Sequence, residues 1–447
     1  MPGDVKVEVV TVALATGATD TTNFIKAGFG TPKAWIIFSS ADITDNNSPQ
    51  DQSRMSIGFG DGAGNFCISH VDEHASAKVD SDAVKSNTKS YIIATPAGIT
   101  IDGTSAAIID GVQLTNTSNV SNDAPFVTVV IFGGDDFNFS LDSVTTPNDI
   151  SPPGDTVQVT TNIDQSLVFF IGTDISGEDS ISTGINNSFG VVHINPAHDT
   201  FTNRSIGWAS DHNNTVGTPS SELCNDRCLN IITESGTADW GLSVTAADAT
   251  SYTLTEDNST SGNGMEIYAL ALDLGRGAGV ENLSTVFSVD GPTAPGTFSI
   301  TGMGFKPQYV GLALTDLSAE SAARAGIATD AEAGVHGISS IGGTGAEACH
   351  SWYNEDAAAT TNTATTFRSR AVFLADHDTT TIVQDHSFLA FTNDGVDLTI
   401  NAEDETVAKK WFGWGIENSV KDRENLEALC DGIMGEENFY AGPFEVV

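Results

Sequence analysis

Basic residues are scarce in this sequence. The 447-residue chain carries 18 Lys and Arg against 59 Asp and Glu, a formal net charge of −41. No lysine lies between Lys89 and Lys306. Nothing here could neutralise a run of phosphates, so nucleic acid is excluded as an expected partner. Cysteine is sparse as well. Cys67, Cys224, Cys228, Cys349 and Cys430 form an odd, scattered set rather than a disulfide framework. Cys224-Asn225-Asp226-Arg227-Cys228 could close a small loop or hold one edge of a metal, but no second Cys/His pair accompanies it, and two unpaired thiols are expected. No apolar run is long enough to span a bilayer, and Met1-Pro2-Gly3-Asp4 has neither the charged nor the apolar region of a secretory signal. The expected product is made in the cytosol and reaches the outside by another route, such as inside a released particle. Long helical patterns are also missing, apart from one short segment at Asn425–Ile433.

A surface this acidic repels itself in dilute buffer. In molar salt the Debye length falls to about 3 Å and that repulsion largely vanishes. Hydrated carboxylates with few lysines therefore suit a protein exposed to brine. The alternatives are charge kept for solubility in a dilute medium, or charge kept to load divalent cations.

What the chain has instead is short apolar runs, turn residues and an internal period. Asp110-Gly111-Val112-Gln113-Leu114-Thr115 is followed by the run Phe126–Phe132. The pair returns as Asp394-Gly395-Val396-Asp397-Leu398-Thr399 with Lys410–Ile416, and more weakly as Tyr252-Thr253-Leu254-Thr255 with Met265–Leu272. The Leu of each Leu-Thr pair recurs after 140 and then 144 residues. A fixed period of this kind outranks any single motif as a guide to architecture. The expected fold is all-β: three tandem antiparallel sandwich or jelly-roll-like repeats at 1–145, 155–286 and 287–426, with a C-terminal tail at 427–447. Two stretches rich in Pro and Gly, Thr145–Asp155 and Gly291–Gly296, read as the linkers. Arg54, Arg204 and Arg324 each open a strand that runs through Gly to Asp, and a structural ion pair repeated in each sandwich is expected there. Loop lengths between that strand and the Leu-Thr pair vary, which marks those ends as exposed and partner-facing.

Candidate chemistry is thin. His70-Val71-Asp72-Glu73-His74 matches the H-x-x-E-H pattern of one zinc peptidase class, which needs both His on one helical face. Here the motif leaves a strand, and the other two copies lack it. Gly58-Phe59-Gly60-Asp61-Gly62-Ala63-Gly64 lacks the Lys and Ser/Thr ending of a phosphate loop and reads as a tight hairpin. Asp42, Asp45 and Asp51, and Asp376 and Asp378, could gather Ca²⁺ on loops, but no EF-hand spacing is present and solvated loops are the expected reading in so acidic a chain. No nucleophile elbow, triad or identifiable carboxylate pair is present. No catalytic, cofactor-binding or metal residue is nominated, and no enzyme activity is expected. Asn116, Asn138, Asn203 and Asn258 begin Asn-x-Ser/Thr triplets, and they count as glycan sites only if the protein meets a glycosylation system.

Gly304-Phe305-Lys306-Pro307, the Arg54–Asp61 strand and the two Asp-Gly-Val copies together resemble a repeated β-module of structural proteins in tailed viruses and proviruses. The resemblance spans all three repeats; the middle one lacks both the Gly-Phe-x-Pro turn and the Asp-Gly-Val. It implies a non-enzymatic virion component of a virus with a salt-loving host: a capsid turret or decoration, a baseplate or a tail-fibre subunit. Its partners would be copies of itself in a symmetric ring and other virion proteins. The competing expectation is a carbohydrate-binding adhesin, with Trp240, Trp352 and Tyr353 as aromatic platforms for a host-surface glycan.

Overall fold

The computed structural model describes residues 5–417 except 47–48, 75, 77–79, 147–153, 213–218, 234, 237, 260–264, 276–282, 321–322, 325–334, 355–362, 376–381 and 404–406. The tail with its expected helix, Asp376, Asp378, Cys430 and most of the Arg324–Asp330 strand lie outside the described residues.

The first eleven strands are β1 (Lys6–Ala13), β2 (Thr21–Ile25), β3 (Ala34–Ser39), β4 (Gln50–Asp51), β5 (Ser53–Gly60), β6 (Asn65–Asp72), β7 (Ser81–Ser86), β8 (Tyr91–Thr95), β9 (Gly98–Ile108), β10 (Gly111–Asn119) and β11 (Phe126–Gly133). They make an inner sheet in the order β1-β11-β3-β5-β6-β7 and an outer sheet in the order β2-β10-β9-β8. Neighbouring strands are antiparallel. The same two orders recur in the strands from Asn138–Thr145 to Glu266–Asp273 and again from Ser284–Asp290 to Lys410–Glu417. The described chain is thus all-β, with six sheets in three pairs.

Each pair is a sandwich, because alternate side chains of the inner strands meet those of the outer sheet. In the first, Trp35, Ile37, Val129 and Ile131 pack on Phe24, Val112 and Leu114. The opposite faces of the three inner sheets meet one another in a single central core. There Phe38, Phe169, Phe189, Phe412 and Trp414 come together from all three sandwiches. The ring centroids of Phe38 and Phe189 are 6.3 Å apart, those of Phe189 and Trp414 5.5 Å. An inner strand is therefore apolar on both faces, which is why β3 reads as a continuous apolar run.

The sandwiches are also laced by strand exchange. β4 sits on the connection between β3 and β5 but pairs with Thr363–Arg368 of the third sandwich. Its counterpart Ser182–Thr183 pairs with β7 of the first, and Ala323–Arg324 pairs with Ser220–Cys224 of the second. Each inner sheet thereby gains a seventh strand, and the donations run third-ward, first-ward and second-ward until the ring closes. An uncovered β7 edge would offer unpaired amides and carbonyls to any passing strand. The neighbour's loop covers it.

Several expectations are corrected here. The boundary at 145 falls after Asn138–Thr145, which pairs with Glu266–Asp273 and so belongs to the second sandwich. Likewise Ser284–Asp290 opens the third sandwich by pairing with Lys410–Glu417, ahead of the expected start at 287. The supposed linker Gly291–Gly296 is not a join: it carries the chain from an inner edge strand to an outer edge strand of one sandwich, a corner that Pro and Gly suit. Most of Thr145–Asp155 lies outside the described residues, and the strands on either side of it both belong to the second sandwich. The three Arg strands are not equivalent. Arg54 is on β5, Arg204 is on the counterpart of β6, and Arg324 is on the counterpart of β4. The loop lengths measured from them compare unlike strands.

The organising Asp-Gly-Val stretches hold a turn. Asp110 accepts a hydrogen bond from Gly30 N at 2.8 Å, and Asp394 accepts from Gly302 N at 3.0 Å and Gly304 N at 2.7 Å. Gly28, Gly30, Gly302 and Gly304 all have φ between 78° and 90°, a conformation that suits glycine. The equivalent turns are thus Gly28-Phe29-Gly30 and Gly302-Met303-Gly304, two residues earlier in the third sandwich than Gly304-Phe305 suggests.

Candidate functional site

Strand exchange brings polar side chains of different sandwiches to three seams and to the line where the seams meet. The last residues of β6 and its two counterparts are Asp72, Ser210 and Asn354. All three are buried. Asp72 accepts from Ser81 Oγ through Oδ1 and from Asn354 Nδ2 through Oδ2. Ser81 Oγ also meets Ser210 Oγ at 2.9 Å. Burial pushes the Asp72 carboxyl up to about 7, against the opposing hydrogen bonds from Ser81, Asn354 and Ser210.

Two residues earlier on the same strands lie His70, Trp208 and Trp352. Their rings pack at 5.2–5.7 Å centroid separations, with His336 5.3 Å from Trp352. Trp208 Nε1 can only donate, so His70 Nδ1 accepts at 3.1 Å and the imidazole proton sits on Nε2. Burial, with His336 nearby, lowers the His70 pKa to about 3. The seam between the third and first sandwiches has a similar histidine. Ser40 N donates to His350 Nδ1 at 3.1 Å, and His350 Nε2 lies 2.8 Å from Thr128 Oγ1. Burial lowers this pKa to about 3 too. Both imidazoles are structural and neutral. His70 is therefore no zinc ligand of the H-x-x-E-H type: it is on a strand, buried among Trp rings, with both nitrogens facing protein partners.

The seam between the first and second sandwiches carries two clusters of charged groups. Lys85, 2% exposed, lies 3.3 Å from Glu178 and 3.5 Å from Glu266. Near it, His212 Nδ1 is 3.3 Å from Asp80 and 3.6 Å from Asp82. Among the described residues, Asp80, Asp82 and His212 are the one group of three whose ligand atoms all lie within 4.8 Å of each other. Sequence reasoning missed this group because its members are 130 residues apart and no motif links them. The missing signal is the strand exchange itself.

The other candidates fall apart. Asp42 is buried and accepts from Thr44 N and Phe367 N, while Asp45 binds Arg368 and Ser369, so no cation loop forms from them. Cys67, Cys224, Cys228 and Cys349 are free and buried, and burial raises all four thiols, Cys349 to about 12. None is poised as a nucleophile or metal ligand. Arg54 hydrogen-bonds Gln52, and Arg204 bonds Asn203 O and Ser288 Oγ. Among the described residues neither forms the expected ion pair, and each arginine sits on a different strand with different neighbours. Arg54 does line a pocket of about 250 Å³ at the third–first seam, with Gln50, Asp51, Asp123 and Thr365. Trp240, Trp352 and Tyr353 are buried and offer no platform to a sugar. Asn116 and Asn203 are buried as well, so neither triplet presents a glycan acceptor. The Gly-rich stretch is the expected hairpin between β5 and β6, with Asp61 accepting from Ala63 N at 2.7 Å.

No protein-family model matches the chain, and no curated protein matches it. The functional reading therefore rests on the geometry above and on the resemblance carried by its short motifs.

Proposed function

We propose that this chain is a non-enzymatic structural component of a tailed-virus particle that works in high salt. The single observation that carries the scaffold reading is the closed ring of exchanged strands around a shared core. Such a ring fixes three sandwiches as one stiff body, at the cost of the open clefts that catalysis needs. The buried thiols and the neutral, buried imidazoles are in keeping with this. The virion assignment rests on the resemblance of the Gly-Phe-x-Pro, Arg-strand and Asp-Gly-Val motifs to tailed-virus modules. The brine assignment rests on the net charge of −41.

The β7-side edge of each inner sheet is used inside one chain. Contacts with other virion proteins, or with further copies, would therefore use the outer sheets and the ends of the body. A role as turret, decoration, baseplate or fibre subunit fits this plan. The adhesin reading is the weaker one, because its three aromatic candidates are buried.

Two measurements test the proposal. Purified source particles are expected to contain the chain, by mass spectrometry and imaging; its absence from particles would sink the virion role. Melting of the purified chain is expected to shift upward from dilute buffer to molar NaCl. A melting temperature indifferent to salt would remove the brine reading.

A further inference from the structure

One seam places acid where the other two have none. Asp82 stands opposite Val71 in the β6–β7 ladder. The corresponding positions are Ser220, opposite Ala209, and Ala364, opposite Tyr353. Both are buried and uncharged. Asp82 is equally buried, at 3% exposed. Among the described residues its carboxylate receives no hydrogen bond, and the groups facing it are His212 and Asp80. A buried carboxylate beside a second carboxylate, with no donor, is costly unless something positive lies between them. Lys85 does not serve, since it is held by Glu178 and Glu266.

The geometry suits a metal ion. Ligand atoms about 2.0–2.2 Å from one ion stand roughly 3–4.5 Å from one another. His212 Nδ1 is 3.3 Å from Asp80 Oδ1 and 3.6 Å from Asp82 Oδ1, and it donates a hydrogen bond to Ser81 O at 3.2 Å, which an ion bound to the deprotonated nitrogen would replace. One imidazole with two carboxylates favours a first-row transition ion over Ca²⁺ or Mg²⁺, which prefer oxygen alone. His212 comes from the second sandwich and the two acids from the first. We propose that Asp80, Asp82 and His212 bind one divalent transition ion, of the zinc or manganese type, that clamps the first sandwich to the second. The ion replaces the donors that Asp82 lacks and adds a cross-link to a seam already held by the Ser182–Thr183 strand, the Lys85 ion pairs and the Ser81–Ser210 contact.

The test uses the full chain, stripped with a chelator and kept in molar NaCl to suppress diffuse counterion binding. Titration with ZnCl₂ and with MnCl₂ is followed by calorimetry and by thermal melting. The expected result is one saturable site per chain for at least one of the two ions, with a rise in melting temperature that excess Mg²⁺ does not reproduce. His212→Ala removes a partly exposed ligand, and Asp82→Ser installs the residue of the second sandwich, so both should fold. Each is expected to weaken binding at least tenfold and to abolish the thermal shift. No saturable site for either ion overturns the proposal, and so does binding that His212→Ala and Asp82→Ser leave unchanged.

Discussion

The inner and outer sheets of each sandwich stand in opposite relations to water. In β10, Val112, Leu114 and Asn116 point inward and are buried, while Gln113, Thr115 and Thr117 lie between them on the wetter face. The edge strand β2 buries only Phe24. In β3, β7 and their second-sandwich counterparts every residue is buried, polar ones included, and in the third sandwich only Gln308 and Arg368 are not. Those polar groups bond across elements: Ser56 Oγ accepts from Ile92 N, and His350 links Ser40 to Thr128. An outer strand thus has to satisfy one face, whereas an inner strand must satisfy both its own sandwich and the neighbouring one. The three sandwiches are consequently bound to each other by the same residues that build each of them.

The largest expected effect follows from that double duty. Trp414 is fully buried in the central core, 5.6 Å from Phe169 and 5.5 Å from Phe189 of the second sandwich. Trp414→Ala is expected to cost about 3–5 kcal/mol of unfolding free energy. Ile25→Ala on the outer edge, where Ile25 is 47% exposed, is expected to stay within about 0.5 kcal/mol. Urea melts in molar NaCl would measure both. A wild-type chain that unfolds in three separate steps, with Trp414→Ala moving only one, would break the claim that the core is shared.

The same contrast explains what could be read from the sequence. The outer strands were legible because alternation leaves a period: the Leu-Thr pairs at Leu114, Leu254 and Leu398 do fall on equivalent strands. The inner strands Ala34–Ser39, Leu167–Thr173 and Pro307–Thr315 are legible too, as short runs rich in apolar residues. The Arg strands failed because β5, β6 and their counterparts mix Ser, Gly and His with apolar residues on two buried faces, which erases the period. The seam cluster was not legible at all. Asp80 and His212 meet only because the connection carrying Ser182–Thr183 docks on β7, and two residues of backbone pairing leave no pattern in a sequence. One apparent irregularity does resolve. The middle sandwich lacks both the Gly-x-Gly turn and the Asp-Gly-Val, and they are two halves of one contact, so losing one releases the other.

pH should separate the groups at the centre. A carboxyl whose folded pKa is near 7, against 3.8 unfolded, holds a proton in the native state alone between those values. The stability Asp72 contributes is therefore complete below about pH 4 and is lost as pH rises to 7. His70 and His350, lowered to about 3 from 6.5, act in the reverse sense. Their contribution is complete above pH 6.5 and is lost as pH falls towards 3, because the unfolded chain takes up protons that the native imidazoles refuse. In Asp72→Asn the falling limb should disappear. Relative to wild type, the variant is expected to gain about 1.4 kcal/mol per pH unit between pH 5 and 7. Parallel stability curves for the two proteins would show that Asp72 is ionised in the native state and would contradict the burial argument.

The smallest effect belongs to the outer turns, and it sharpens the comparison from the wet side. Asp394 is exposed and Asp110 partly so, and each holds the amides of a Gly-x-Gly turn whose middle residue, Phe29 or Met303, is buried. Those amide bonds pull both carboxyls below the usual 3.8, so they stay charged through mild acid. Asp110→Ala or Asp394→Ala should lower the melting temperature on the order of 1–2 °C. Asp110→Ala should be the worse of the two, because residue 110 sits at φ 62°, where Ala is disfavoured and Asn is tolerated. Asp110→Asn should accordingly recover most of the loss. Amide exchange gives the sharper reading: in Asp110→Ala, Gly28 and Gly30 should exchange faster while Gly302, Gly304 and the central strands do not change. The second sandwich serves as the internal control. Its turn is closed by Thr161 N and Asn162 N donating to Thr250 O at 2.8 and 2.9 Å, and the nearby Asp248 carboxylate accepts from Thr250 N, not from these two amides. If exchange there rose together with Gly28 and Gly30, the outer turns would be coupled through the shared core, and the division between wet and dry sheets drawn above would be too sharp.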